Sequence, residues 1–144
     1  MTSFIYFPNE GISLNQIKIY WGDYRFDIQQ LLHNKHSKSD SVSKRDIYYN
    51  FNGEENYFFL NYDEKNLLIE VEIHNGILIS INNILLKFGT DFQTAVSLLK
   101  NVSADNVETS AGEYLFKDLK LTISNSESMG GEGDNLAYFY CSKE

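Results

Sequence analysis

Apolar residues recur at every second position over most of this chain, the spacing of strands with one buried face. Phe4 to Phe7 predicts a short strand ended by Pro8 and the turn-forming Asn9-Glu10-Gly11. Ile12 and Leu14, then Ile17, Ile19 and Trp21, form two period-2 runs out of step, as a bulged strand or two short strands would. Gly22 stops the second run, and Asp23 offers an N-cap to a helix whose apolar stripe is Tyr24, Ile28, Leu31 and Leu32.

Residues 33 to 45 contain no large apolar side chain except Val42 and read as a solvated loop. Strand patterns then dominate. Asp46 to Phe51 and Tyr57 to Tyr62 flank the turn-rich Asn52 to Asn56, and Leu67 to Ile73 follows a second turn. In that last run Ile69, Val71 and Ile73 point one way, while Glu70, Glu72 and His74 point the other. Asn75-Gly76 predicts a hairpin into Ile77 to Ile81, and Asn82-Asn83 a further reversal into Ile84 to Phe88. Thr90 or Asp91 caps a second helix, with Phe92, Ala95, Val96 and Leu99 as its stripe. Asn101 to Glu108 is a polar connector. Glu113 to Phe116 and Leu119 to Ile123 suggest another hairpin, and the Gly/Ser/Glu-rich Ser124 to Asn135 leads to a final strand, Leu136 to Cys141.

These elements come to about ten short strands and two amphipathic helices. Most connections are too short for parallel crossovers. The expected fold is α+β: a largely antiparallel, meandering sheet with two amphipathic helices packed on one face, in a single domain spanning residues 1–144. No repeat of 20–50 residues is evident.

Composition narrows the class. Aromatic residues make up 15% of the 144 residues, enough to build a core without covalent staples, and a single cysteine permits no internal disulfide. Twelve Lys and Arg against 20 Asp and Glu give a net charge of −8, which argues against nucleic-acid binding. The start lacks a basic n-region and a long apolar run, and no stretch is long enough to span a bilayer. A cytoplasmic protein without membrane association is expected.

The chemistry-bearing residues do not assemble into a reaction. His33 and His36, with Asp40, supply metal-ligand types, but they lie among Lys35, Lys38, Lys44 and Arg45, whose charge opposes a divalent cation. Cys141 falls within a predicted strand, where it reads as a small apolar residue. His74 is in phase with Glu70 and Glu72, which could raise its pKa, yet alternating polar residues on an exposed sheet face give the same pattern. Gly130-Gly131-Glu132-Gly133-Asp134 has neither the lysine nor the following helix of a phosphate loop. The expectation is a non-enzyme with no catalytic residue, no metal and no cofactor.

The negative charge is concentrated. Residues 46 to 72 hold seven acids and one base, a local balance of −6, interleaved with Tyr48, Tyr49, Tyr57 and Tyr62. Carboxylates steer a basic partner and tyrosines anchor it. The expected partner-binding residues are Glu54, Glu55, Asp63, Glu64, Glu70, Glu72, Tyr57 and Tyr62.

A small, acidic, cysteine-poor α+β chain rich in Tyr, Asn, Ile and Lys resembles the immunity proteins of bacterial contact-dependent growth inhibition and related polymorphic toxin systems. The likeness rests on Gly11-Ile12-Ser13-Leu14, the strand-helix unit through Leu32, and the hairpin from Tyr62-Asp63 to Glu70, and it is one of architecture. It implies a non-catalytic protein that binds and neutralises a cognate toxin C-terminal domain in the cytosol, often a basic nuclease. A small-ligand-binding domain or a subunit of a larger assembly is the alternative.

Overall fold

The computed structural model describes residues 1–33 and 35–144. The chain is α+β, as the pattern predicts, with thirteen strands among the described residues divided between two sheets. In chain order the elements are β1 (Thr2–Phe7), β2 (Gly11–Leu14), β3 (Ile17–Tyr20), α1 (Arg25–Leu31), β4 (Lys38–Asp40), β5 (Arg45–Tyr49), β6 (Tyr57–Tyr62) and β7 (Leu68–Asn75). Then come β8 (Ile77–Ile81), β9 (Ile84–Lys87), α2 (Phe92–Lys100), β10 (Asn106–Ser110), β11 (Glu113–Phe116), β12 (Leu121–Asn125) and β13 (Leu136–Ser142).

The smaller sheet has the order β3-β2-β1-β8-β9, and the larger β10-β11-β12-β13-β7-β6-β5-β4. Among the described residues every strand pairing is antiparallel except β1 with β8. The two out-of-step runs of the sequence are two short strands, β2 and β3, joined by Asn15-Gln16 with both φ positive, a tight hairpin turn. The inner faces of the sheets meet through aromatic rings: Phe139 lies 6.0 Å from Phe4 and 6.2 Å from Tyr6, edge to face. The Tyr6 hydroxyl crosses the core to donate to the Leu119 carbonyl at 2.6 Å. The large sheet's inner face is therefore covered by the smaller sheet as well as by the helices. Each helix carries the chain from an edge of the small sheet to an edge of the large one and adds its apolar side to the shared core. On α2 all four predicted stripe residues are buried, and Asp91 caps it by accepting from the Thr94 backbone N–H. On α1 only Ile28 and Leu32 of the expected stripe are buried; Tyr24 and Leu31 face solvent, and Asp23 binds the Tyr20 N–H instead of capping.

The architecture reads twice. Hairpin β2-β3, α1 and the meander β4-β5-β6-β7 are matched by β8-β9, α2 and β10-β11-β12-β13, and the strand order of the large sheet mirrors itself about the β7–β13 pair. Local bonds repeat with it. The lone bridge Tyr24–Leu67 has its counterpart in Asp91–Asn135. Gly22 N–H donates to Leu68 O, as Gly89 N–H does to Leu136 O, each at 2.9 Å. Arg25 N–H bonds Asn66 O as Phe92 N–H bonds Asp134 O. The repeat unit is longer than the 20–50-residue periods of solenoids, and its side chains diverge everywhere but the hairpins and helix ends, which conceals it in the sequence.

Three further expectations change. The loop of residues 33 to 45 contains β4, a three-residue edge strand on β5; Asn34, within it, lies outside the described residues. The connector of residues 101 to 108 runs into the edge strand β10. A register shift between Asn61 and Tyr62 puts Leu68 in the core and leaves Ile69 half-buried, so the alternation of Val71 and Ile73 does not extend to Ile69. No described helix is long and apolar enough to cross a membrane.

Candidate functional site

The outer face of the large sheet, turned away from the core, is where the predicted site residues and the unusual chemistry meet. On β5, β6, β7 and β13 the period of two sends Tyr48, Phe58, Leu60, Val71, Ile73, Phe139 and Cys141 inward. The same alternation sends Arg45, Tyr49, Tyr57, Phe59, Asn61, Glu70, Glu72, His74, Tyr138 and Tyr140 outward.

The two carboxylates sit at the centre, where β7 pairs with β13. Glu72 accepts from the Tyr138 hydroxyl at 2.7 Å, from the Asn61 amide at 2.6 Å and from Arg45 at 3.0 Å. Glu70 accepts from the Tyr140 hydroxyl at 2.6 Å and from the Asn61 amide at 3.3 Å. Glu72 thus shares its charge with a guanidinium, whereas among the described residues Glu70 has neutral donors alone. Burial, and then the bond to the carboxylate, push the Tyr138 and Tyr140 phenols far above the usual tyrosine range.

Beside this network runs a ladder of rings. Tyr49 and Tyr57 have centroids 4.4 Å apart, Tyr57 meets Phe59 at 5.0 Å and His74 at 4.9 Å, and His74 meets Tyr138 at 5.2 Å. The Arg45 guanidinium lies 4.5 Å over Phe59. Desolvation among the rings lowers the His74 pKa, outweighing the opposing pull of Glu72. Among the described residues His74 Nε2 is buried without a hydrogen-bond partner, and neither carboxylate bonds the ring. The Glu70–Glu72–His74 set is therefore brought to one face, with its carboxylates engaged by tyrosine, asparagine and arginine.

The other expected partner-binding residues lie at the ends of β6. Glu54 binds the N-terminal ammonium at 3.2 Å and the Thr2 hydroxyl at 2.7 Å, while Glu55 is exposed two residues before Tyr57. At the far end, Asp63 closes its own turn by accepting from the Lys65 and Leu67 N–H groups, and Glu64 is exposed. Tyr62 is only 4% exposed; its ring faces the core beneath Arg25, so it offers no surface to a partner. Asp46 also leaves the surface charge. It is wholly buried, held by Arg25 at 2.6 Å and by Ser39 and Gln29. The local excess of −6 is correspondingly less available to solvent than the residue count implies.

Of the residues considered for metal or phosphate chemistry, His33 is exposed, His36 packs edge-on to Tyr48, and Asp40 binds the Val42 and Ser43 N–H groups, so the three do not converge. Gly130 to Asp134 belongs to a turn-rich connection between β12 and β13. Cys141 is buried on β13, and burial pushes its thiol up. Sequence reading missed Arg45, Phe59, Asn61, Tyr138 and Tyr140. Period two places each of them opposite a core neighbour, but only the pairing of β13 with β7 shows that the C-terminal tyrosines meet Glu70 and Glu72.

The internal repeat supplies a control for this face. Matching the paired core residues Tyr48–Phe58 with Phe116–Leu121 leaves no strand position equivalent to Tyr49 and Tyr57, because the chain turns there through Lys117–Leu119 and Lys120 has a φ of +53°. Phe59 then corresponds to Thr122 and His74 to Ser142. The same scaffold accepts threonine and serine where the first half carries Phe59 and His74, so the repeated fold does not demand rings at those two positions.

Searches for known relatives found no matching family model, no matching curated protein and no matching solved structure.

Proposed function

We propose that this chain is a non-catalytic protein-binding module, of the immunity type, which docks a basic partner on the outer face of its larger sheet and neutralises a toxin domain in the cytosol. The observation that supports it is the ring ladder beside Glu70 and Glu72, in which Phe59 and His74 stand where the other half of the scaffold carries Thr122 and Ser142. Outer faces of antiparallel sheets are ordinarily polar. Tyrosine and arginine are the residues that dominate binding energy at protein interfaces. The net charge of −8 would steer a basic partner toward the molecule, and a basic nuclease meets that requirement.

The test is functional. A toxin domain encoded beside this chain's gene is expressed in a bacterial host with and without it, and the purified pair is examined by size-exclusion chromatography with light scattering. Restored growth and a stoichiometric complex are expected. Continued growth arrest with both proteins soluble and unassociated would overturn the reading. Within a complex, Glu70→Lys should weaken binding at least about tenfold, as loss of a close interfacial charge pair does, and should flatten the dependence of the association rate on salt.

A further inference from the structure

The docking reading leaves open what the partner puts on this face, and the arrangement of cations over rings answers it. Some outlying rings elsewhere are covered by the chain's own cation: Lys18 lies 3.5 Å over Phe7 and 5.2 Å from Tyr20, and Lys100 lies 5.0 Å from Tyr114, whereas the exposed Tyr24 and Phe26 are single rings without such cover among the described residues. Tyr49 and Tyr57 have no such cover among the described residues, and Tyr49 is 50% exposed.

Charge points the same way. Arg45 compensates Glu72 alone. Glu70 is held by neutral donors, and Glu55, exposed next to this end of β6, pairs with no cation among the described residues. A face of rings with uncompensated carboxylate charge is complementary to a cation that can stack. Arg45 displays the combination in miniature, its guanidinium carbon 4.5 Å from the Phe59 ring centre while one nitrogen reaches Glu72 at 3.0 Å.

Resting on the docking reading, we propose that the Tyr49–Tyr57 end of the ring ladder receives an arginine side chain of the partner, stacked on the exposed phenol rings. Arginine fits better than lysine because a planar, weakly hydrated guanidinium can lie on a ring and keep its edge donors free for a carboxylate.

The test titrates the intact chain with N-acetyl-arginine methylamide while the tyrosine ring signals are followed by NMR. The citrulline analogue, equal in shape but neutral, and the lysine analogue are run alongside. Saturable shifts at Tyr49 and Tyr57 with arginine, smaller ones with lysine and none with citrulline are expected. Tyr49→Leu should weaken the arginine response at Tyr57 about two- to fivefold, the size of an exposed cation–π contact. Equal shifts with citrulline, or an unaltered response in Tyr49→Leu, would overturn the site; equal shifts with lysine would overturn its assignment to guanidinium. Arginine binding without any captured toxin would sink the immunity reading and leave this inference standing, and a toxin complex without arginine binding would do the reverse.

Discussion

The Tyr140 hydroxyl donates to Glu70 at 2.6 Å, and the pseudo-twofold relation carries that bond onto the one from Tyr138 to Glu72 at 2.7 Å, with tyrosine and carboxylate exchanged. Glu72 and Tyr140 are directly paired on β7 and β13, where the two halves of the sheet meet. The midpoint of the fold and the centre of the candidate docking face therefore coincide. Hydrogen bonds to a carboxylate stabilise by about 1.5–3 kcal/mol when well ordered. Partial exposure puts Tyr140→Phe nearer 1 kcal/mol, measurable by urea unfolding. Tyr138→Phe should cost no more, because Glu72 keeps Arg45 and Asn61. A loss above about 3 kcal/mol for either would mean that the network also holds the sheet's register.

Alkaline titration follows from the same bonds. Tyr138 and Tyr140 hold their protons above the usual value near 10, as do the buried Tyr6, Tyr48 and Tyr62, mainly through desolvation. Between the unfolded and folded pKa values the native state binds more protons than the unfolded state, so stability falls as pH rises above about 10. Absorbance at the phenolate band should show these tyrosines ionising only with unfolding. A full phenolate yield in a still-folded protein at pH 11 would contradict it.

His74 behaves oppositely. Its folded pKa lies below the ordinary value near 6.5 because rings desolvate it. The unfolded chain takes up this proton first, so the His74 contribution is present above about pH 6.5 and is lost as pH falls toward the folded pKa. His74→Phe, which keeps a ring among Tyr57, Phe59 and Tyr138, should reduce the slope of stability against pH between about 6.5 and 5. An unchanged slope would assign that acid sensitivity to other groups.

The buried Arg25–Asp46 pair has an apolar counterpart within the same molecule. The repeat places Phe92 where Arg25 stands and Tyr114 where Asp46 stands. Removing one partner strands a buried charge, so Asp46→Ala should cost about 3–5 kcal/mol. Arg25→Met combined with Asp46→Leu should recover at least half of that loss, since apolar replacement of a whole buried pair is often neutral. Thermal unfolding of the three variants decides the matter, and a double variant as unstable as the single would show that the ion pair, with Ser39 and Gln29, positions β4.

Gly76 ties the β7–β8 turn to the loop that carries Glu55. Its φ is +71°, and a Cβ there would overlap the Glu55 carbonyl. Gly89 has a similar φ of +87° with open space around it. Gly89→Ala should cost about 1 kcal/mol from backbone strain alone, and Gly76→Ala distinctly more while also perturbing the Tyr57 and His74 ring signals. Equal costs would mean that the Glu55 loop yields freely.

What the sequence determined by itself is local. Alternation assigned strands such as β7 and β8, the four-residue stripe of Phe92, Ala95, Val96 and Leu99 determined α2, and Asn75-Gly76 determined a hairpin, because each depends on neighbours within a few residues. It also put Glu70, Glu72 and His74 on one face. Tertiary structure decided what that face contains. Tyr62 obeys a register shift and turns inward, Asp46 leaves solvent to meet Arg25, and Tyr138 and Tyr140 arrive from the far end of the chain to bind carboxylates 66 and 70 residues earlier. The doubled architecture stayed hidden for the same reason. Strand order is a matter of which edges pair, and pairing is set by burial between distant segments, which periodicity along a single strand does not encode.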